Sequence, residues 1–307
     1  MELTEKETRY VRLIIEEFKA MLVKKYGGKK MLRPLHPKMH GCVSAKFIVN
    51  NDIDESLRSG IFNTARTFEA VIRFSNSSTS IQSDKKKDVR GMAIKLLDEE
   101  HNENFQDFIL INHSRFITAE LCQYYKIVKA IARGGLYFLL FVLNPFNFRA
   151  LLRLINSSIK CENVLGIPYF SASPYMLGEE HIAKYAVRPT TVFKNDDNKS
   201  LSDSYLKERL AKHLMQYDAS YDFLVQVYTN SKLTPVEDVT VEWDAPFVKL
   251  ATILIPKQDL NIPEESSCEQ LYTFAPWHCL PEHQPLGKIN FVRKVIYDEL
   301  AKFRLRS

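Results

Sequence analysis

The sequence predicts an α+β fold in which an antiparallel β-barrel carries appended α-helices. Short runs of alternating apolar and polar residues recur along the 307-residue chain, a pattern typical of strands with one buried face. These runs do not alternate regularly with helices, which argues against a doubly wound parallel sheet. The chain is 45% hydrophobic and 26% charged, as expected of a soluble globular protein. An antiparallel barrel or sandwich with added helices fits these observations.

The first predicted element is an amphipathic helix over residues 4–26. Thr4 and Glu7 have the spacing of a capping box, in which each side chain bonds the backbone N–H of the other residue. Apolar side chains then recur every three or four residues, and the two glycines at 27–28 end the helix.

Seven β-strands and four further helices are predicted after this helix. The strands cover residues 43–49, 69–75, 90–98, 107–112, 181–189, 222–229 and 240–255. The helices cover residues 118–132, 137–156, 201–216 and 287–305. Because no linker rich in proline, serine or glycine separates these elements, one domain over residues 1–307 is predicted.

Charge and cysteine content argue against several classes of function. The net charge of +5, from 42 basic and 37 acidic residues, is too slight to argue for nucleic-acid binding. The five cysteines form no C-x-x-C pair, which argues against a zinc ribbon or a disulfide framework and for a reducing compartment. The charged N-terminal segment is unlike a signal peptide, so a cytoplasmic protein is expected.

The last predicted helix carries basic residues where a helix should be apolar. At 100° per residue, Arg293, Tyr297 and Arg304 lie within about 40° of one another, beside an apolar stripe. A buried guanidinium without an anion is very costly, so this face should contact something negatively charged. Internal salt bridges with carboxylates elsewhere in the chain are one interpretation, and an anionic ligand is the other.

Four separated stretches together resemble the haem-binding core of the catalase superfamily. They are RPLHPKMHG (33–41), VIRFSNSS (71–78) with DVRGMAIKL (88–96), FQDFILINHSRFI (105–117), and Arg293-x-x-x-Tyr297 with Arg304 seven residues later. In that family these motifs carry a distal histidine, a serine beside it, a distal asparagine and a proximal tyrosine. Residues 169–189 and 274–297 further look like the small catalase-related haem proteins, so the resemblance spans most of the chain.

The resemblance implies a haem b cofactor held against the last helix. Tyr297 would be the axial ligand of the iron through its phenolate, because tyrosine is the haem ligand of catalase. Iron(III) and Arg293, one turn earlier on the same face, would both favour the phenolate form. Arg304 would reach a haem propionate, and the resemblance gives Arg33 and Arg73 the same role. The cofactor would then be the anion that the buried arginines require.

On the distal side of the haem, the resemblance makes His36 the acid–base residue. His36 stands three residues after Arg33 and two before Lys38, which is the family pattern, whereas His40 is a nearby alternative. Ser75 matches the serine that orients the distal histidine by a hydrogen bond. His36 would take a proton from the peroxide and return it to the leaving oxygen.

The resemblance also has implications for the distal asparagine and for the width of the substrate channel. Asn112 matches the distal asparagine, with His113 beside it and a turn role at a strand end as alternatives. The chain ends ten residues after Tyr297, whereas full-length catalases continue into an NADPH-binding region. Ser77 falls where catalases have a channel-narrowing valine. A more open distal pocket is therefore expected.

These features predict a haem-dependent oxidoreductase that processes peroxides. Three substrate outcomes stay open: a peroxidase with an organic reductant, an allene oxide synthase-like isomerase or lyase of fatty-acid hydroperoxides, and a minimal catalase acting on hydrogen peroxide. The open pocket favours organic hydroperoxides. A non-catalytic haem-binding protein is the alternative from another class, and the pair of His36 and Asn112 argues against it. A homo-oligomer stays open, and no nucleic-acid partner is expected.

The most apolar stretch, residues 134–155, suggests one further partner. Its apolar core LYFLLFVL (136–143) is too short to span a bilayer. It could rest on a membrane surface through aromatic and leucine side chains, with Arg149 and Arg153 near lipid headgroups. An ordinary core helix pair around Pro145 is the competing interpretation.

Overall fold

The structure is a computed structural model that describes residues 2–27, 29–98, 105–191, 201–260 and 271–305. Its strands are β1 (Lys38–Val49), β2 (Thr67–Asn76), β3 (Arg90–Leu97), β4 (Gln106–Ile111), β5 (Tyr169–Phe170), β6 (Tyr175–Leu177), β7 (His181–Pro189), β8 (Ala219–Val227) and β9 (Phe247–Ile255). They form one antiparallel sheet in the order β5-β4-β3-β2-β1-β9-β8-β7-β6. Because β5 also pairs with β7, eight strands close into a barrel. The short strand β6 pairs with the first residues of β7. The predicted fold class is confirmed.

The interior of the barrel is filled by aromatic side chains. The ring of Phe223 lies 5.0 Å from that of Phe47 and 4.8 Å from that of Phe108, measured between centroids. The ring of Tyr185 lies near the same centre, edge-on to Phe108 with 5.1 Å between the centroids. A barrel of eight strands is just wide enough for side chains to fill it. The barrel centre is therefore a packed core, and a ligand must bind elsewhere.

The outer face of strand β2 is a candidate for the ligand-binding place. Side chains alternate along a strand, so Ile72 and Phe74 point into the barrel core. Arg73 and Ser75 point to the opposite, outer face, yet both are buried as well. The outer face of β2 is thus covered by other segments, which allows charged and polar residues to form a site there.

The helices cover the barrel from outside. They are α1 (Glu5–Tyr26), α2 (Leu121–Arg133), α3 (Gly135–Leu143), α4 (Phe148–Ser157), α5 (Tyr205–Leu214) and α6 (Lys288–Leu305). Helices α1, α2 and α6 share a second apolar core, which includes Ile14, Tyr124 and Val292. The predicted capping box begins α1, because the Glu7 N–H donates to Thr4 Oγ1 over 3.3 Å and the Thr4 N–H donates to Glu7 Oε2 over 2.9 Å.

Several elements differ from the sequence-based prediction. The strand predicted over 240–255 begins only at Phe247, and the helix predicted over 137–156 is broken at Pro145–Asn147, where its two parts meet at 86°. Strands β5 and β6 have only two and three residues, too few for a periodic pattern to reveal. Cys42 is disulfide-bonded, although the cysteine pattern had argued against a disulfide framework. The prediction of a single domain over 1–307 stays a prediction.

Candidate active site

Helix α6 presents the two residues that the sequence singled out most strongly. Its apolar residues pack against α1 and α2, and this packing turns Arg293 inward, where only 7% of its surface is exposed. Arg293 Nη1 donates to Asn290 Oδ1 over 3.0 Å and to Ser173 Oγ over 3.3 Å. Its guanidinium carbon lies 5.8 Å from the ring centroid of Tyr297, one turn further along the helix.

No carboxylate accompanies Arg293 in the part of the chain that the structure describes. Burial acts to lower the pKa of Arg293, but the phenols of Tyr297, Tyr175 and Tyr124 outweigh burial, so its pKa is raised. The internal salt bridge that the sequence allowed is therefore not formed by Arg293 among these residues. Its neighbours are neutral amide and hydroxyl groups and three tyrosines, which is an environment that lacks a permanent anion.

The sequence could not show how Arg293 is held. Asn290 Nδ2 donates to the carbonyl oxygens of Pro174 and Leu286, each over 2.9 Å, and its side chain is fully buried. Ser173 Oγ donates to Asn290 Oδ1 over 2.9 Å. The one signal in the sequence for this contact was Asn290, which lies on the buried stripe three residues before Arg293. Ser173 could not be found in this way, because it is 117 residues from Asn290 in sequence.

His36 lies before β1 and contacts the outer face of β2. Its Nδ1 is 2.9 Å from Ser75 Oγ, and its carbonyl oxygen accepts a hydrogen bond from Arg73 Nη2 over 2.8 Å. Its φ of 60° is uncommon for a residue other than glycine and marks a constrained backbone. A Cβ at Gly91 would lie 2.6 Å from His36 Cε1, so the imidazole packs flat on a backbone that only glycine permits.

The electrostatics of His36 link the two parts of the site. Burial, and then Arg73, Arg33 and Arg293 in that order of effect, together lower the pKa of His36 to about 3. The imidazole is therefore neutral at pH 7 and can accept a proton. The charges of Arg33, Arg73 and Arg293 all act on His36. The structure brings His36 into contact with Ser75 and Arg73, and it sets Arg293 beside Tyr297, while the roles predicted for these residues stay predictions.

His40, the alternative to His36, has a different environment. It is completely buried, and its Nε2 donates to Asn76 Oδ1 over 2.7 Å. The carboxylate of Asp84 lies 3.8 Å from its other ring nitrogen and 2.7 Å from Lys38 Nζ. Burial lowers the pKa of His40 to about 4. His40 is part of a closed polar cluster that ties β1 to β2, where a substrate has no access.

Asn112 follows β4 and is anchored at both ends of its amide. Its Oδ1 accepts a hydrogen bond from the Arg90 N–H over 2.6 Å, and its Nδ2 donates to the Ser157 carbonyl over 3.0 Å. One hydrogen of Nδ2 is left after that bond. The neighbouring His113 accepts from the Arg115 N–H over 3.2 Å within its own turn. A distal role for Asn112 stays a prediction.

Two of the predicted propionate-binding arginines, Arg33 and Arg304, are half-buried. Arg33 is half-buried, and its Nη2 donates to the Tyr272 carbonyl over 3.5 Å while its guanidinium carbon lies 5.8 Å from the ring of Phe274. Arg304 is half-buried in the last turn of α6. Their roles, like that of Arg73, stay predictions.

The donor set fits a haem better than a bare metal ion. In the described ranges, no group of three or more His, Cys, Asp or Glu side chains could hold a metal. A haem iron needs as few as one protein ligand, because the porphyrin nitrogens supply four. One tyrosine beside a carboxylate-free buried arginine, with further arginines whose charges also act on His36, suits an iron porphyrin with anionic propionates.

This closed eight-stranded antiparallel barrel with helices covering it from outside is a catalase-like fold. The chain is similar to a fungal catalase of known crystal structure, with a TM-score of 0.71 and 16% identity over 89% of this chain and 59% of that one. A bacterial catalase structure matches with a TM-score of 0.69 and 16% identity, over 90% of this chain and 57% of that one. The chain therefore spans less than two thirds of these catalases. No protein-family model and no curated protein sequence matches it.

Proposed function

We propose that this protein is a haem-dependent enzyme that processes peroxides and that Tyr297 is the axial ligand of its haem b iron. One observation carries the proposal. Arg293 is buried beside Tyr297, and its hydrogen-bond partners are the neutral side chains of Asn290 and Ser173. A phenolate of Tyr297 bound to the haem iron would give this guanidinium the anion that its burial demands. Arg33, Arg73 and Arg304 would hold the propionates.

When bound, the haem iron supplies the redox chemistry for cleaving an O–O bond. The chain supplies the proton transfer. Because the pKa of His36 is lowered to about 3, its imidazole starts neutral. With Nδ1–H donated to Ser75 Oγ, Nε2 accepts the proton of the peroxide hydroxyl and returns it to the departing oxygen. The remaining amide hydrogen of Asn112 can orient the peroxide.

The substrate class that we propose is organic hydroperoxides, including those of fatty acids. Ser77 is a small, half-buried side chain beside His36, whose N–H points to the Ser77 carbonyl over 3.4 Å. A small side chain here leaves more room than a branched one for a bulky substrate. Peroxidation of an organic reductant and rearrangement of a lipid hydroperoxide are both compatible with this site. A minimal catalase is the second candidate, because the fold is catalase-like.

Titration of the protein with haem tests the cofactor assignment. The Tyr297→Phe variant should bind haem weakly or give a clearly altered Soret and visible spectrum. Tyr124→Phe is the matched control, since Tyr124 is a buried tyrosine of the same cluster whose pKa burial raises to about 12. The control should keep the wild-type spectrum. An unchanged spectrum in Tyr297→Phe would exclude Tyr297 as the ligand.

A comparison of kcat/KM for hydrogen peroxide, cumene hydroperoxide and a linoleate hydroperoxide tests the substrate class. We expect higher kcat/KM values for the two organic substrates, because burial of their apolar groups contributes about 0.8 kcal/mol of binding free energy per CH₂. Rapid oxygen evolution from hydrogen peroxide, with little turnover of the organic substrates, would favour the minimal catalase instead.

A further inference from the structure

Helices α3 and α4, with the corner between them, form a protruding segment that we call the apolar wedge (residues 135–157). Helix α3 is apolar on all sides, yet Phe141 is its only buried residue. A helix that is apolar all round is normally buried in a core or a membrane. The other large side chains of α3 are exposed; they are Leu136, Tyr137, Phe138, Leu139, Leu140, Val142 and Leu143.

Helix α4, the second arm of the wedge after α3, continues the same apolar surface. Phe148, Leu152 and Ile155 in α4 are spaced by four and three residues, so they share one helix face, and all three are exposed. At the corner between the arms, Phe146 is 88% exposed. Single exposed apolar side chains are ordinary, but a contiguous set of this size marks an interaction site.

The wedge is rigidly built although its surface is uncovered. Asn147 is buried under the corner, where its Nδ2 donates to the Phe141 carbonyl over 2.9 Å and its Oδ1 accepts from Gln123 Nε2 over 3.1 Å. Phe141 and Ala150 pack with residues of α2 in a small apolar core. The exposed side chains are thus held in place by buried contacts beneath them, as expected of a preorganised binding surface.

Charge around the wedge identifies the kind of partner. Residues 121–161 contain no aspartate or glutamate, and the basic residues among them are Lys126, Lys129, Arg133, Arg149, Arg153 and Lys160. Of these six, Arg133 alone takes part in an ion pair among the described residues, with Glu17. An apolar surface whose own segment, residues 121–161, carries only cationic charges complements an anionic lipid surface, where apolar side chains enter the bilayer and cations remain at the headgroups.

The shape of the wedge favours lying on the bilayer over crossing it. No single helix in the described part of the chain is long and apolar enough to span a membrane. The two arms pass that test only together, and they meet at 86°. Nine residues of α3 extend about 14 Å, less than half of a hydrocarbon core of about 30 Å.

We infer that the apolar wedge docks this protein on the surface of an anionic lipid bilayer, with Phe146 and the exposed side chains of α3 inserted among the acyl chains. This inference needs no haem and stands apart from the enzymatic proposal. The wedge also contacts the site, because the Ser157 carbonyl at the end of α4 accepts the Asn112 amide and Arg153 donates to the Ile117 carbonyl over 2.9 Å. A docked wedge places the distal residues next to the membrane.

Vesicle flotation with the full chain tests the docking. The probes are vesicles of phosphatidylcholine and vesicles that also contain phosphatidylglycerol. Wild-type protein should float with the anionic vesicles and bind the neutral ones more weakly. The Leu143→Ser/Phe146→Ser variant should partition at least tenfold less onto anionic vesicles. Arg149→Gln should lose about fivefold on anionic vesicles and nothing on neutral ones.

The matched control is Ile81→Ser/Met215→Ser, which removes two apolar side chains that are also exposed but do not belong to the wedge. It should bind as the wild type does, and thermal unfolding should show that all variants are folded. Docking is excluded if the wild type fails to float, or if the control loses as much binding as the wedge variant. Sedimentation tests whether a second copy of this chain covers the wedge instead of a membrane. If the wild type is a dimer that Phe146→Ser dissociates, and if it does not bind vesicles, the wedge is a protein interface and not a lipid-binding surface.

Discussion

His36 and His40 are four residues apart, and their environments differ for a reason that the sequence contains only in part. The motif spacing favoured His36, and the structure places it against Ser75 on the outer face of β2. A break in the β1–β2 register between Met39 and Gly41 accompanies the fully buried position of His40. A bulge of this kind re-aims side chains and depends on strand pairing, which a single sequence does not show.

Replacing each histidine by alanine tests whether His36 acts in catalysis and His40 in stability. We expect His36→Ala to lower peroxide turnover by about 10²–10⁴-fold while haem stays bound, because it removes the proton acceptor. His40→Ala should instead lower the free energy of unfolding, because it removes a fully buried imidazole with its hydrogen bond to Asn76 Oδ1 and leaves a cavity. Steady-state turnover and urea unfolding measure the two effects. The assignment is wrong if His40→Ala gives the larger loss of turnover in folded protein.

The pH dependence of turnover follows from the charge state of His36. Its pKa is lowered to about 3 by burial and by three arginines, so the neutral acceptor form persists as the pH falls from 7 to about 4.5. The acid limb of kcat/KM should therefore lie well below the ordinary histidine pKa of about 6.5. Removing a positive charge with Arg73→Gln should move this limb to higher pH. A wild-type limb centred near pH 6.5 would contradict the environment described for His36.

At the scale of elements, periodicity predicted the helices and the long strands well and the short or interrupted elements poorly. The long strands were found because their apolar alternation extends over many residues. Trp243 lies in the strand predicted over 240–255, but its Nε1 donates to the Pro235 carbonyl over 2.9 Å in a loop. The break at Pro145 was foreseeable, since proline interrupts a helix, but the 86° turn depends on Asn147 and its contacts.

Helix α6 supports the site through its apolar side, and the cost of weakening that side can be measured. Leu300 is buried against α1 and α2 one turn after Tyr297. Leu300→Ala should lower the free energy of unfolding by about 2–5 kcal/mol and weaken haem binding, because a cavity forms under the helix that carries the ligand. Lys302→Ala, on the exposed side of the same helix, should change stability by less than about 0.5 kcal/mol. Equal effects of both changes in urea unfolding would show that α6 is not held by this core.

At the scale of the whole molecule, the packed barrel interior decides where chemistry can occur. Because aromatic rings fill the barrel, buried charged residues such as Arg73 lie on its outer face, and Arg293 lies on α6. Each motif has a fixed local spacing, so the sequence could predict the candidate residues, while their roles stay predictions. The contacts that hold these motifs join distant segments, such as Arg293 with Ser173, 120 residues away in sequence, and only the fold reveals them.

The connection between the apolar wedge and Asn112 has a consequence for turnover that combines both proposals. If the wedge rests on a bilayer, a fatty-acid hydroperoxide dissolved in that bilayer reaches the site without crossing water. Hydrogen peroxide gains nothing, because it does not concentrate in lipid. Anionic vesicles should therefore raise kcat/KM for a linoleate hydroperoxide at least tenfold in wild-type protein and leave turnover of hydrogen peroxide unchanged. Leu143→Ser/Phe146→Ser should abolish the rise while keeping the turnover measured without vesicles, since neither residue touches the site. Assays of both substrates with and without vesicles decide the matter: an equal rise for both substrates, or a rise that persists in the wedge variant, would show that lipid acts by a route other than docking.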